Sequence, residues 1–246
     1  MPDRSSKTNP LVIIPVYQLE DAIQEMVDES TKYIAKENLL FVDDGSKDNT
    51  SNKIEDLGIN YLRHHTNRGK GMALRSAFAY FCQQDKFDSV ITIDGDLQHP
   101  PNKIPEMIAM LDDGYDLVMG NRMTDLSDMP VQRRFSNTMS SWGISVTLRQ
   151  KLPDTQCGFR AIKGWVIRRL QLKSVRYAIE SEVALQAGFM GAKFGHLPIP
   201  TIYNENPSHM EPFMATFRIT KLITGFFLKN RFGKLKIQNG DSNDDQ

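Results

Sequence analysis

The stretch SVITIDGDLQHPP, residues 89–101, runs a short, uncharged, β-branched segment straight into two carboxylates. Its first half has the pattern of a buried strand. Its second half sets Asp94 and Asp96 two positions apart, then closes with Pro100 and Pro101, which can start a helix but cannot extend a strand. Two acidic groups therefore collect where a strand ends, and they repel unless a cation, a donor network or open water compensates. Oxygen ligands at Asp94, Asp96 and Gln98 suit a hard divalent cation, Mg2+ or Mn2+, which would neutralise a diphosphate. A solvated acidic turn is the plain alternative.

Outward from this stretch, strand and helix signals alternate. LVIIPVY (11–17), LLFVDD (39–44), INYLRHH (59–65) and DLVMG (116–120) have the composition of strands. Between them, residues 19–37 place Ile23, Met26, Val27 and Ile34 on one helical side, and Leu74, Ala77, Phe78 and Phe81 fall at i, i+3, i+4, i+7. This order implies βαβ units and an α/β fold with a mostly parallel sheet, right-handed crossovers and ligands at the carboxyl ends of the strands. The acids come at those ends. Past residue 125 the pattern predicts helices near 130–150, 178–189 and 210–229, read as an acceptor-side elaboration of one domain. That domain is expected over 10–236, with a donor half of about 10–125 and an acceptor half of about 126–236. The polar tails 1–9 and 237–246 are expected to be disordered.

Thirty basic and thirty acidic residues cancel in this 246-residue chain, so no global field points to nucleic acid. Cys82 and Cys157 lack metal-ligand spacing and are expected as reduced, buried thiols. The N-terminal residues carry no apolar signal region and no run is long enough to span a bilayer. A cytoplasmic protein, peripheral at a membrane surface, is the expectation.

Further motifs carry chemistry. Asp43 and Asp44 in FVDDGS offer acceptors to the base and ribose of a nucleotide, or cap the next helix with Ser46 or Asp48. The loop NRGKG (67–71) is similar to a phosphate cradle but lacks the Walker spacing. Arg122 ends a strand, and Arg133 and Arg134 open a helix. Arginines there suit phosphate or simply face solvent. Glu180 and Glu182 lie about 200° apart on a helix, so one is expected inward and one outward. His99 and His209 are expected to be structural, and His64 and His65 to lie at the surface.

Taken in order, VIIPVYQ, FVDDGSKDNT, NRGKGMAL, ITIDGDLQHPP, DLVMGNR, RRFSN, DTQCGFRAI and IESEVALQA resemble the family 2 glycosyltransferases of the GT-A fold, over about residues 11–190. The similar branch is the dolichyl- or polyprenyl-phosphate sugar synthases. The resemblance implies an inverting, metal-dependent transfer from a nucleotide-diphosphate sugar, GDP-mannose or a UDP-sugar, to a lipid phosphate. By matching position it puts Asp96 at the metal with Asp94 and Gln98 assisting. Pro15, Tyr17, Asp43, Asp44, Lys70 and Asp94 fall on the nucleotide side, and Arg122, Arg133 and Arg134 by the acceptor phosphate. Unlike many of that branch, the chain shows no transmembrane helices, and Met214 and Ala215 stand where a basic and an acidic residue are common.

Two other functions remain at this level. Transfer to a saccharide or protein hydroxyl would need a base, for which Asp154 and Glu180 are candidates. A catalytically silent nucleotide-sugar-binding protein is the third. Residues 210–236 combine an apolar helical band with clustered Lys and Arg. They are expected either as a core helix or as an interfacial helix on anionic lipid, with a membrane partner protein as a further possibility.

Overall fold

The computed structural model describes residues 8–124, 129–174 and 178–201. The strands are β1 (Pro10–Val16), β2 (Leu39–Asp43), β3 (Asn60–Arg63), β4 (Ser89–Thr92), β5 (Leu117–Asn121), β6 (Arg160–Lys163) and β7 (Phe194–Pro198). The helices are α1 (Ile23–Thr31), α2 (Thr50–Asp56), α3 (Lys70–Cys82), α4 (Ile104–Asp112), α5 (Val131–Leu148), α6 (Gly164–Arg169) and α7 (Ile179–Phe189).

One seven-stranded sheet in the order β3-β2-β1-β4-β6-β5-β7 organises these elements. Strand β1 shows why it lies at the centre. Its residues are apolar on both faces, so Leu11 and Ile13 enter one core while Val12, Ile14 and Val16 enter the other. A two-period chain can do this only between two layers of helices. Helices α3, α6 and α7 cover the first face; α1, α2 and α4 cover the second.

From β1 the chain builds β2 and β3 on one side, then returns to lay β4 on the other. The crevice between the carboxyl ends of β1 and β4 is therefore the topological switch point, where open α/β sheets bind ligands. The Asp94–Asp96 stretch follows β4 directly.

The second half differs from the expected add-on. It contributes β6 and β7 to the sheet itself, and β6 runs antiparallel between β4 and β5. Four residues beginning and ending in a cation gave no alternation to read, and β7 contains Gly195 and Pro198, the latter tolerated at a sheet edge. Helix α1 is also shorter than its periodicity: it ends at Thr31, and the Tyr33 and Ile34 N–H groups both turn to the Ser30 carbonyl at 3.0 and 3.1 Å. The 210–229 helix, the basic 210–236 segment, His209 and most of both tails lie outside the described residues.

Phe41 is fully buried on β2 between β1 and β3. Phe41→Ala is expected to lower the unfolding free energy by about 3–5 kcal/mol, from lost burial plus the cavity left behind. Denaturant titration with an unchanged slope checks it.

Candidate active site

An ammonium between two carboxylates forms the centre of the strand-end crevice. Lys70, the first residue of α3, holds Nζ 2.6 Å from Asp94 Oδ1 and 2.7 Å from Glu180 Oε1. The three groups come from the end of β4, the start of α3 and the first turn of α7. Burial acts to lower the Lys70 pKa, but the Asp94 and Glu180 carboxylates more than reverse it and hold the ammonium above lysine's ordinary value. Burial likewise pushes Asp94 up, while Lys70, then His99, pull it down to about 2.

The antiparallel β6 brings its leading loop to this point. A Cβ on Gly158 would stand 2.7 Å from both Asp94 carboxylate oxygens and from Lys70 Nζ. Only a residue without a side chain lets the backbone run beneath the pair. Arg160, buried at the start of β6, then fixes the loop by donating to the carbonyls of Cys157 (2.8 Å), Thr155 (2.7 Å) and Glu180 (2.6 Å).

Asp96 sits two residues beyond Asp94 in a different state. Burial, then the Asp94 charge, raises its pKa above the usual carboxylate value. Leu97 takes a left-handed φ of 60°, uncommon for a non-glycine residue, and the Gln98 N–H donates to Asp96 Oδ1 at 3.1 Å. A cation placed beside the two carboxylates would offset both the burial and their mutual repulsion. Among the described residues no three acidic, His or Cys side chains converge as a metal shell. Asp96, the Gln98 amide and Asp94, which already pairs with Lys70, offer oxygen donors of the kind a hard cation takes.

Asp43 and Asp44 are already engaged within the fold. Asp43 is fully buried, accepts the Ser46 N–H at 2.9 Å and the Ser51 hydroxyl, and lies 3.5 Å from Arg63. Asp44 accepts N–H bonds from Arg68 and Gly69 at 3.0 and 2.6 Å. The loop read as a phosphate cradle thus wraps this protein's own carboxylate. Asp48, not Asp44 or Ser46, accepts from the Thr50 N–H at the start of α2, at 3.2 Å. Gly45 permits the turn, with φ 78° and a Cβ position 2.5 Å from the Thr66 carbonyl carbon. Pro15 lies within β1 half-buried, and Tyr17 follows it exposed.

On the other side of β4, Arg122 and Asp154 form a two-pronged pair. Arg122 Nε donates to Asp154 Oδ2 at 2.8 Å, and its terminal nitrogen to Oδ1 at 3.1 Å. Burial alone would raise the Asp154 pKa, yet the Arg122 charge and hydrogen bonds hold it below the usual value. Arg133, half-buried, and Arg134, exposed, stand in the first turn of α5.

Several expectations need correction. His64 is buried, with Nδ1 2.6 Å from Asp44 and Nε2 2.9 Å from Ser76. Its neighbour His65 is exposed. Glu180 and Glu182 are both inward, because α7 is buried on every side from 179 to 187. Glu182 accepts the N–H groups of Lys173 and Ser174 at 3.0 and 2.8 Å. Cys82 is exposed, whereas Cys157 is buried, and burial lifts its thiol to about 11. The roles of Gly158 and Arg160 went unread, although a glycine and an arginine flanking one phenylalanine were a usable signal.

A mostly parallel sheet with paired carboxylates at its switch point is the architecture of a GT-A glycosyltransferase. Residues 11–175 match Glycosyl transferase family 2, and the chain belongs to that family. It is 33% identical over 234 residues to an uncharacterized protein of Methanocaldococcus jannaschii, covering 90% of this chain and 89% of that one. It is 27% identical to the UDP-N-acetylglucosamine–dolichyl-phosphate N-acetylglucosaminyltransferase of Methanococcus voltae, covering 92% and 95%. The fold is similar to glucosyl-3-phosphoglycerate synthase from Mycobacterium tuberculosis in complex with Mn2+, UDP-glucose and phosphoglyceric acid. That likeness has a TM-score of 0.68 at 17% identity and covers 90% of this chain and 80% of that one. Among the described residues no helix is long and apolar enough to cross a membrane.

Gly158→Ala is expected to push Lys70 from Asp94 while leaving the sheet intact. Donor affinity should fall at least tenfold, about 1.4 kcal/mol, with a small change in Tm, as calorimetry and thermal melts would measure.

His99 is buried and stacked on Phe159, and burial lowers its pKa from 6.5 to about 4. In metal-free protein the unfolded state binds the extra proton first, so stability falls with pH across this window by about 1.4 kcal/mol per unit. Denaturant midpoints of wild type and His99→Gln at several pH values check this, and the variant should show the shallower loss.

Proposed function

We propose that this glycosyltransferase moves a sugar, with inversion, from a nucleotide-diphosphate donor (GDP-mannose or a UDP-sugar) to a polyprenyl or dolichyl phosphate. The observation that carries this reading is the state of the two carboxylates suited to act as a base. Asp154 is held through both oxygens by Arg122, and Glu180 is buried and paired through Oε1 with the Lys70 ammonium. A hydroxyl acceptor needs a proton taken from it, whereas a phosphate oxygen is already anionic and needs only positioning. The name of the Methanococcus voltae relative, with its dolichyl-phosphate acceptor, supports the same choice. An intact set of Asp94, Asp96 and Lys70 favours a working enzyme over a silent binding protein.

In this reading Asp96 and Gln98, with Asp94, hold Mg2+ or Mn2+. When bound, the cation supplies positive charge against which the nucleoside diphosphate leaves. Lys70 shares that charge, and Asp94 and Glu180 keep its ammonium charged and fixed. Pro15 and Tyr17, within and after β1, line the nucleoside side, and Asp43 and Asp44 shape it by holding the two flanking loops. Arg122, oriented by Asp154, positions the acceptor phosphate, with Arg133 and Arg134 adding charge at the start of α5. One phosphate oxygen attacks the anomeric carbon from the face opposite the diphosphate. The new C–O bond forms as the old one breaks, and no proton has to move.

Incubation with GDP-mannose or UDP-sugars, undecaprenyl phosphate in detergent and Mn2+ or Mg2+ should yield a lipid-linked sugar by mass spectrometry. Product formed on hydroxyl acceptors and never on the lipid phosphate overturns the reading. Asp96→Asn should lower kcat at least a hundredfold, about 2.7 kcal/mol, without changing Tm. Arg122→Ala should raise the acceptor KM while calorimetry finds donor affinity nearly unchanged.

A further inference from the structure

Helix α5 turns most of its large apolar side chains outward. Its exposed side carries Val131 (80% exposed), Phe135 (68%), Met139 (42%), Trp142 (62%) and Val146 (58%). At about 100° per residue these five fall within an arc of about 80°, a single stripe about 22 Å long. The buried side is Asn137, Ser140, Ser141 and Ile144, centred on the opposite direction. Ordinary surface helices do the reverse.

Hydrogen bonds hold the helix in this orientation. The Ser141 hydroxyl accepts the Thr155 N–H at 2.9 Å, and the Ser145 hydroxyl accepts the Leu152 N–H at 3.0 Å. Rotating the stripe inward would break both bonds and release the loop that carries Asp154. The outward apolar face is thus fixed by the same contacts that shape the site.

The charge within the helix and the turn that follows it is of one sign. Residues 129–153 contain Arg133, Arg134, Arg149 and Lys151 and no Asp or Glu. Arg134 flanks the N-terminal end of an apolar band that includes a tryptophan and a phenylalanine, and Arg149 and Lys151 follow its C-terminal end. Arg133 lies toward the opposite side of the helix. A second copy of this helix would bring like charges together. An anionic bilayer surface satisfies both features at once, taking the apolar side chains below its headgroups and pairing the cations with its phosphates.

We infer that α5 is an interfacial helix that lies on anionic lipid through Val131, Phe135, Met139, Trp142 and Val146. This rests on the reading of the acceptor as a lipid phosphate, because a helix lying flat there brings its own arginines, and the loop holding Arg122 through Asp154, to headgroup level.

The chain has two tryptophans, and Trp165 is partly buried with its N–H on Asp116 at 2.9 Å. In full-length Trp165→Phe protein, Trp142 alone reports. Without donor or acceptor, equimolar phosphatidylglycerol–phosphatidylcholine vesicles should blue-shift its emission, and lipid brominated on the acyl chain should quench it. Phosphatidylcholine alone should do less, and added salt should weaken the effect. With both tryptophans present, Phe135→Ser/Val146→Ser should lower vesicle pelleting about tenfold or more, while transfer in detergent stays unchanged.

Pelleting with an unchanged Trp142 spectrum would move lipid contact to another surface and overturn the inference. So would an emission already blue-shifted without lipid, whether from self-association on dilution series or from cover by residues 202–246. Transfer in detergent without any vesicle response leaves the function standing and removes the interfacial helix. A vesicle response with no transfer to lipid phosphate does the opposite.

Discussion

The ammonium of Lys70, shared by Asp94 and Glu180, is the contact that the surrounding structure is built to keep. Buried charges are costly, and removing one partner from such a set leaves another uncompensated, at about 3–5 kcal/mol. Here each partner belongs to a different element, so the pairing fixes α3 and α7 against the end of β4. Gly158 leaves room for it, and Arg160 holds the carbonyls around it. One ammonium between two carboxylates leaves one negative charge, and Asp96 brings a second. Burial first, and then the Asp94 charge, raise the Asp96 pKa, and a divalent cation at this position would offset both.

The donor side was legible because its signals are local. A strand buried on both faces has to be uncharged along its length, and β1, the first four residues of β2 and all of β4 are. Where such a strand meets Asp43–Asp44 or Asp94–Asp96, sequence places the acids at the carboxyl edge, since parallel strands all point their ends the same way. The strand ends differed from the expected bounds by one or two residues. That is where pairing with neighbours, which sequence does not display, decides the limit.

Side chains that meet across long separations were not legible. Nothing near Lys70 announces Glu180, which lies 110 positions away, and the two become neighbours only because β6 runs antiparallel and turns the chain back to β4. Four residues reading RAIK cannot advertise that insertion. The same holds for Asp43 and Asp44. As acids at a strand end they read as ligands, yet their carboxylates hold the backbone and hydroxyls of two adjoining loops and one histidine. A carboxylate that shapes a pocket and one that touches its ligand have the same sequence.

Helix α5 shows the limit of periodicity most plainly. Spacing tells which residues share a face, but not whether that face turns in or out. The apolar set of α5 taken alone reads as a core face, and the polar set as solvent-facing. The reverse follows from β6: once its leading loop must sit beneath Lys70 and Asp94, that loop presents the Leu152 and Thr155 N–H groups to the helix beside it. Buried donors must be satisfied, so Ser141 and Ser145 turn toward the loop. Val131, Phe135, Met139, Trp142 and Val146 are left outside while Ile144 stays in the core. The requirement at the ion pair thus propagates through one loop to the outer surface, and the helix face that results is available for a function of its own.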